Sequence, residues 1–195
     1  FVLAEFSQFG TNVISVAPGK TSTRGTSVGI FGSDRPLTIE DAEALKRVPQ
    51  VLYSDPALQG NAEINANERS RRVTVYGVGP DFDKALHINV AVGRFLPPAD
   101  PTSAPALVTL GSKVRHELFG DANPLGSRID IGGSRFRVIG VMASKGQILG
   151  VDLDDSVYIP AARALELFNR EGLMEIHVVH APDANVGKVV DGIRK

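Results

Sequence analysis

The sequence predicts an α+β fold, and three observations carry that expectation. A strand, helix and strand succeed one another within the first 60 residues; a strand and a helix close the chain; and between them lies a long stretch of short alternating strands. The chain has 195 residues, 43% of them hydrophobic and 22% charged, within the normal range for folded soluble proteins. At this length the chain has room for one domain or a lobed pair. Lys and Arg number 21 against 22 Asp and Glu, a net charge of -1 that gives no footprint for nucleic acid or an anionic membrane. There is no Cys, which excludes disulfides, thiolate metal sites and a Cys nucleophile. The longest apolar run, Val138 to Ala143, is far short of the roughly 20 residues a spanning helix needs.

Asn12 to Ala17 is β-branched and apolar, is closed by Pro18-Gly19, and reads as a buried strand. Lys20 to Pro36, rich in Thr, Ser and Gly, reads as an extended loop. Thr38 is placed to cap a helix with Asp41 answering it at the third position, and Leu37 and Ala42 have the spacing of a hydrophobic staple. Ile39, Ala42, Leu45 and Val48 form its apolar stripe, Glu43 and Arg47 can pair, and Pro49 ends it. Val51 to Leu58 follows as a strand interrupted by Pro56.

Ala62 to Ala66 and Arg72 to Val78 then flank a polar turn, Asn67-Glu68-Arg69-Ser70. Asp81 to Leu86 reads as one helical turn, Ile88 to Val92 as a strand, Gly93 to Pro105 as a proline-rich loop and Ala106 to Leu110 as a strand. Ser112 is placed to cap a short helix that Gly120 closes. Ser127 to Ile131 and Ser134 to Met142 flank Gly132-Gly133, the clearest hairpin signal in the chain, because both turn positions accept a positive φ. Ser144 to Asp155 reads as a second flexible loop, followed by strand Val157 to Ile159 and a helix Ala161 to Phe168 begun by Pro160. Strand Ile176 to Ala181 leads through an Asp183 cap into helix Val186 to Ile193. The chain begins without Met and stops within a helix, so it reads as a piece of something longer.

No local constellation points to a reaction. There is no Gly-x-Ser-x-Gly elbow, and the four histidines sit in unrelated elements. His177 and His180, three apart in a strand, fall on opposite faces and do not make a metal pair. Asp152, Asp154 and Asp155 lack the Gly and Glu of an EF-hand and read as a solvated acidic loop. Gly77-Val78-Gly79-Pro80 fails as a phosphate cradle because Pro80 removes a donor, and Arg69, Arg71 and Arg72 read as a solvated hairpin end.

Longer patterns carry a resemblance. Gly10 to Val16, Leu37 to Leu45, Gly93-Arg94-Phe95-Leu96, Leu110-Gly111-Ser112, Glu117 to Gly126 and Phe136 to Val141 fall in the order found in MacB-type ABC transporter permeases. The chain resembles their extracytoplasmic, periplasmic core domain over nearly its whole length. The resemblance implies a porter-like lobe formed by both chain ends (1–61 and 164–195) and an inserted strand-rich, sabre-like lobe (62–163). It also implies a domain that is not an enzyme and needs no cofactor or metal, held outside the inner membrane. Its partners would be the rest of the permease, a separate ATP-hydrolysing domain, a periplasmic adaptor and an outer-membrane channel. The isolated piece is expected to be monomeric. The residues expected at partner-contact loops are Lys145, Gln147, Asp152, Asp154 and Asp155 in one loop and Arg69 and Arg71 at the hairpin end. Two other readings stand beside this one: a stand-alone ligand-binding module, marked by an apolar cavity, and a small hydrolase with a triad assembled from distant elements.

Overall fold

The structure, a computed structural model, describes residues 2–6, 12–18, 36–148 and 151–194. Except for Pro36, the stretch read as a loop over 20–36 lies outside them. The fold is α+β. One mixed sheet of ten strands runs through the molecule, beside a separate two-stranded ribbon.

The chain ends build a frame. Strands β1 (Val2–Phe6) and β2 (Val13–Ala17) pair antiparallel, and helix α1 (Ile39–Leu45) leads from β2 to β3 (Val51–Ala66). Thr38 caps α1 as expected: its hydroxyl accepts from the Asp41 N–H at 3.1 Å, and the Asp41 carboxylate accepts from the Thr38 N–H at 3.0 Å. Glu43 pairs with Lys46 at 2.6 Å, in place of the Arg47 partner the spacing suggested. The late strand β12 (Glu175–His180) inserts antiparallel between β2 and β3 and makes a split β-α-β arrangement. Helices α1 and α5 (Val186–Arg194) cover one face, where Ile39, Ala42, Val189 and Ile193 join Ile14, Val16, Ile176 and Val178 in the core. Asn185, rather than Asp183, caps α5 by accepting from the Lys188 N–H at 3.2 Å.

The strands expected over Val51 to Leu58, interrupted by Pro56, and over Ala62 to Ala66 are one. β3 runs unbroken for 16 residues. β4 (Arg69–Val78) pairs with it only from Ala57 onward, so β3 has an open edge at Pro56 and tolerates a residue without an N–H there. Its distal half enters a closed ring. Around this ring β3 pairs with β4, β4 with β11 (Ser156–Pro160), β11 with β6 (Leu107–Leu110), β6 with β8 (Ser134–Met142), β8 with β7 (Arg128–Ile131), and β7 returns to β3 through Ile64↔Ile131. Closure removes strand edges. Ile64, Val75, Val108, Leu110, Ile129, Ile131 and Val157 fill the core and are almost fully buried.

The hairpin at Gly132-Gly133 has the expected geometry, with φ of 56° and 89°. Asn67 and Glu68 turn the β3–β4 hairpin, also with positive φ. Helix α3 (Ser112–Phe119) packs against barrel strands through Val114 and Leu118. Its cap is not Ser112, which is its first residue. The Asp154 carbonyl accepts from the Lys113 and Val114 N–H groups, and a side chain at Gly111 would meet that carbonyl at 2.3 Å. Helix α4 (Ala161–Leu167) lies close on β3 and β4, and a Cβ at Gly77 would stand 2.2 Å from that of Ala164. A second apolar cluster on the barrel's outer side stacks Tyr76, Phe82, Phe95 and Tyr158, drawing in α2 (Phe82–Ala85) and the segment after β5 (Val90–Gly93), a strand that begins two residues later than expected.

Candidate contact groove

The described residues of the stretch 144–155 are less open than its composition suggests. Gln147 lies in β9 (Gln147–Ile148), which pairs with β10 (Val151–Asp152). Asp154 anchors the stretch: its carboxylate accepts from the Ser144 hydroxyl at 2.8 Å and from the Lys145 and Gly146 N–H groups at 2.7 and 2.9 Å. Partial burial raises its pKa, but these hydrogen bonds outweigh that and hold it below the usual carboxylate range. Asp152 accepts from the Asp154 and Asp155 N–H groups, closing an Asx turn. The expected solvated acidic loop is thus corrected, since its carboxylates are half-buried and engaged by the chain itself.

Asp155 reaches across to the β3–β4 hairpin. Arg71 donates through Nε and Nη2 to its two oxygens, each at 2.8 Å, and Lys113 lies at 3.9 Å. This fork raises the Arg71 pKa, chiefly through the hydrogen bond to Asp155. Arg71 is therefore half-buried and held, not a solvated hairpin end. Arg69 remains exposed and donates to the Glu117 carbonyl at 3.0 Å, while Lys145 is exposed and donates to the His87 carbonyl at 3.2 Å. The clamp brings Arg71 together with Asp155 and its loop neighbours Asp152 and Asp154; Arg69 stands apart, against α3.

Beside the clamp lies an open groove of about 780 Å³. Its floor is the polar ladder of β3 and β4, Gln59, Asn61, Arg72, Thr74 and Tyr76, with Asp152 and Asp155 also lining it and Phe168, Arg170 and Met174 completing it. Gly60 permits this shape, because a Cβ there would stand 2.5 Å from the Phe168 ring. Arg72 and Arg170 are exposed cations at its margins. Sequence reading passed over Phe168 and Arg170, whose placement depends on α4 folding back across the sheet.

Among the described residues the histidines are not brought together with the partners of a triad or a metal site. Ser15, His177 and Asp55 occupy one row across β2, β12 and β3, yet the bonds of a triad are missing. His177 Nε2 engages Glu175 at 2.7 Å, and that bond lowers the Glu175 pKa; Ser15 also bonds to Glu175 and is almost fully buried. His180 Nδ1 meets the Ala181 carbonyl instead. Among the described residues no group of three His, Asp or Glu side chains is placed to hold a metal, and no helix is long and apolar enough to cross a membrane.

The profile of the MacB-like periplasmic core domain matches residues 1–195. The chain belongs to that family. A pyoverdine export ATP-binding/permease protein, PvdT of Pseudomonas aeruginosa, is 33% identical over 94% of this chain and 27% of its own length. A macrolide export ATP-binding/permease protein, MacB of an Azoarcus species, is 31% identical over 82% of this chain and 24% of its own length. This MacB-like domain thus spans about a quarter of the curated relatives it matches. The periplasmic region of MacB from Actinobacillus actinomycetemcomitans superposes with a TM-score of 0.75 at 22% identity, covering 94% of this chain and 81% of that one. The extracellular domain of the transporter YknZ from Gram-positive bacteria gives 0.67 at 21%, covering 79% and 78%. The chain is the periplasmic core domain of an ABC transporter permease of MacB type, a domain that is non-catalytic by family.

Proposed function

We propose that this domain couples conformational change in the membrane part of its permease to a protein partner or exported cargo outside the membrane, and that the groove beside the Arg71–Asp155 clamp is its contact surface. One observation supports the reading above the others. Strand β4 and the loop ahead of β11, 84 residues apart in sequence, are tied by a bidentate ion pair at the rim of a polar, arginine-flanked groove, which gives a contact surface a fixed shape. Arg72, Arg170 and Tyr76 suit an extended segment bearing carboxylates and an aromatic or apolar residue. In this reading residues 1–61 with 164–195 form the membrane-side lobe and 62–163 the outward lobe that meets partners. ATP would be hydrolysed by a separate domain of the full protein, working with a periplasmic adaptor and an outer-membrane channel. Export is proposed by analogy with the pyoverdine and macrolide export proteins among its relatives.

The test uses the full-length transporter in cells. A photo-crosslinking residue at Thr74, in the groove, should give a defined adduct with an extracytoplasmic protein, and the charge reversals Arg72→Glu and Arg170→Glu should abolish it. The same probe at Leu52, exposed on the frame, should give none. Equal adducts from both positions would overturn the assignment of the groove, as would an adduct that survives both reversals. Light scattering of the isolated 195-residue chain should report a monomer.

A further inference from the structure

A cavity of about 260 Å³ lies beside the open edge of β3, where Ser54 to Pro56 have no β4 partner. It shares no lining residue with the groove. Its walls are rigid and apolar, built largely of prolines from the segment after Leu96 and from the ends of β4 and β11. Ser54 and Asp55 also line it. Each is 1% exposed, and among the described residues neither the Ser54 hydroxyl nor either oxygen of Asp55 has a hydrogen bond of good geometry, the Gly79 N–H facing the carboxyl without making one. The Asp55 carboxylate is directed toward Gly79, another lining residue, where an added Cβ would stand 2.5 Å from Oδ1.

A buried carboxylate without a donor is costly, so its surroundings show what it lacks. The one Lys or Arg lining the cavity among the described residues is Lys46, and its ammonium is engaged by Glu43 at 2.6 Å. From the β4–α2 turn and α2 the facing groups are Asp81 and Asp83, with Lys84 turned to Asp81 at 3.7 Å. From β12 the in-register neighbour is His177, already bonded to Glu175. Burial, chiefly, and the nearby Asp81 and Asp83 push the Asp55 carboxyl well above the usual carboxylate range, with the Gly79 N–H and Lys46 opposing. An anion would meet repulsion here. A wholly apolar ligand would leave Asp55 unsatisfied, and a metal ion finds no set of three ligands among the described residues.

We propose that this cavity is a binding site for a small amphiphilic amine, whose protonated nitrogen donates to Asp55 and whose apolar body packs on the proline-lined wall. The space is ample, since a cavity of about 150 Å³ accepts a benzene ring. Asp55 supplies a charge-assisted acceptor. Binding converts the carboxyl to a carboxylate, and its proton leaves to solvent. The affinity therefore rises as pH climbs through the raised Asp55 pKa, for as long as the alkylamine keeps its own charge.

The experiment titrates the 195-residue chain with cyclohexylmethylamine, using cyclohexylmethanol as the neutral analogue, and follows amide and carboxyl resonances by NMR. The amine should shift Pro-segment neighbours and the Asp55 carboxyl carbon. It should bind at least about tenfold more tightly than the alcohol, the difference expected from one charge-assisted hydrogen bond. Asp55→Asn should remove that preference while leaving the spectrum of the fold intact. If the variant fails to fold, the carboxyl titration of the unmodified protein decides instead, since the bound amine should lower the Asp55 pKa and the alcohol should not. No shift at about 5 mM amine, a concentration that detects millimolar affinity, would overturn the proposal. Equal binding of amine and alcohol, or amine preference surviving Asp55→Asn, would also overturn it. Each of these outcomes is independent of whether the groove binds a partner.

Discussion

From Ala62 to Ala66, β3 is one stave of a closed barrel whose buried polar groups are satisfied. Ser156 donates to the Asp152 carbonyl, Tyr158 to the Leu153 carbonyl, and Arg71 to Asp155. From Val51 to Ala57 the same strand lies in the open frame, beside different company. The buried side-chain atoms that lack partners among the described residues belong to Ser54, Asp55, Asp83 and His177, none of them in the barrel ring. Ring closure gives each barrel strand two neighbours and leaves an apolar core, whereas the frame keeps an open edge at Ser54 to Pro56. The contrast teaches that stability and responsiveness are divided along one strand: apolar packing governs the barrel, and titratable groups stay unresolved in the frame.

The contrast breaks first at the barrel seam. Ile64 is fully buried opposite Ile131, so Ile64→Ala should cost about 4 kcal/mol, through lost burial and a cavity at the point of ring closure. Chemical denaturation would read this as a lower midpoint; a loss under 1 kcal/mol would mean that the seam does not hold the ring. Arg71→Ala should cost less, about 1.5 kcal/mol, because both partners of the pair remain about a quarter exposed and Lys113 stays near Asp155. An equal effect in high salt and low salt would show that packing of the Arg71 stem, not the ion pair, sets the loss.

The frame should respond with the opposite sign. A carboxyl whose pKa is raised on folding favours the native state below the unfolded value and withdraws that support as pH rises toward the native one. Asp55→Asn should therefore stabilise the protein at neutral pH, by about 1 kcal/mol. The gain should vanish as pH falls into the ordinary aspartate range. Thermal melts of both proteins across that interval would check it, and a constant difference at all pH values would place the effect elsewhere than in ionisation.

What the sequence made legible was local. The Thr38–Asp41 cap, the Gly132-Gly133 hairpin and the end of α1 ahead of Pro49 each depend on groups within a few residues of one another, and each appears where expected. The insertion of β12 between β2 and β3 was not legible, nor was the return of β7 to β3, because β-branched strands with similar alternation offer many registers of comparable merit. The loops expected to contact partners lie at the surface, with Lys145 and Arg69 exposed. Their state was misjudged, since the pairing of Arg71 with Asp155 spans 84 residues and depends on the parallel register of β11 with β4. Asp55 carried no signal beyond an acid in an apolar strand next to a proline, and its burial follows from the proline segment that closes over it.

The continuity of β3 has a mechanical consequence. Sixteen residues of extended chain measure about 50 Å, and this ribbon carries hydrogen-bonded neighbours along its length, with neither Pro56 nor Gly60 breaking it. It works as a strut rather than a tether. If the strand moved as a rigid body, a tilt imposed at its root near Val51 would be carried to the Asn67-Glu68 tip as a longer sweep, in the way a small turn of a tiller swings the far end of a rudder.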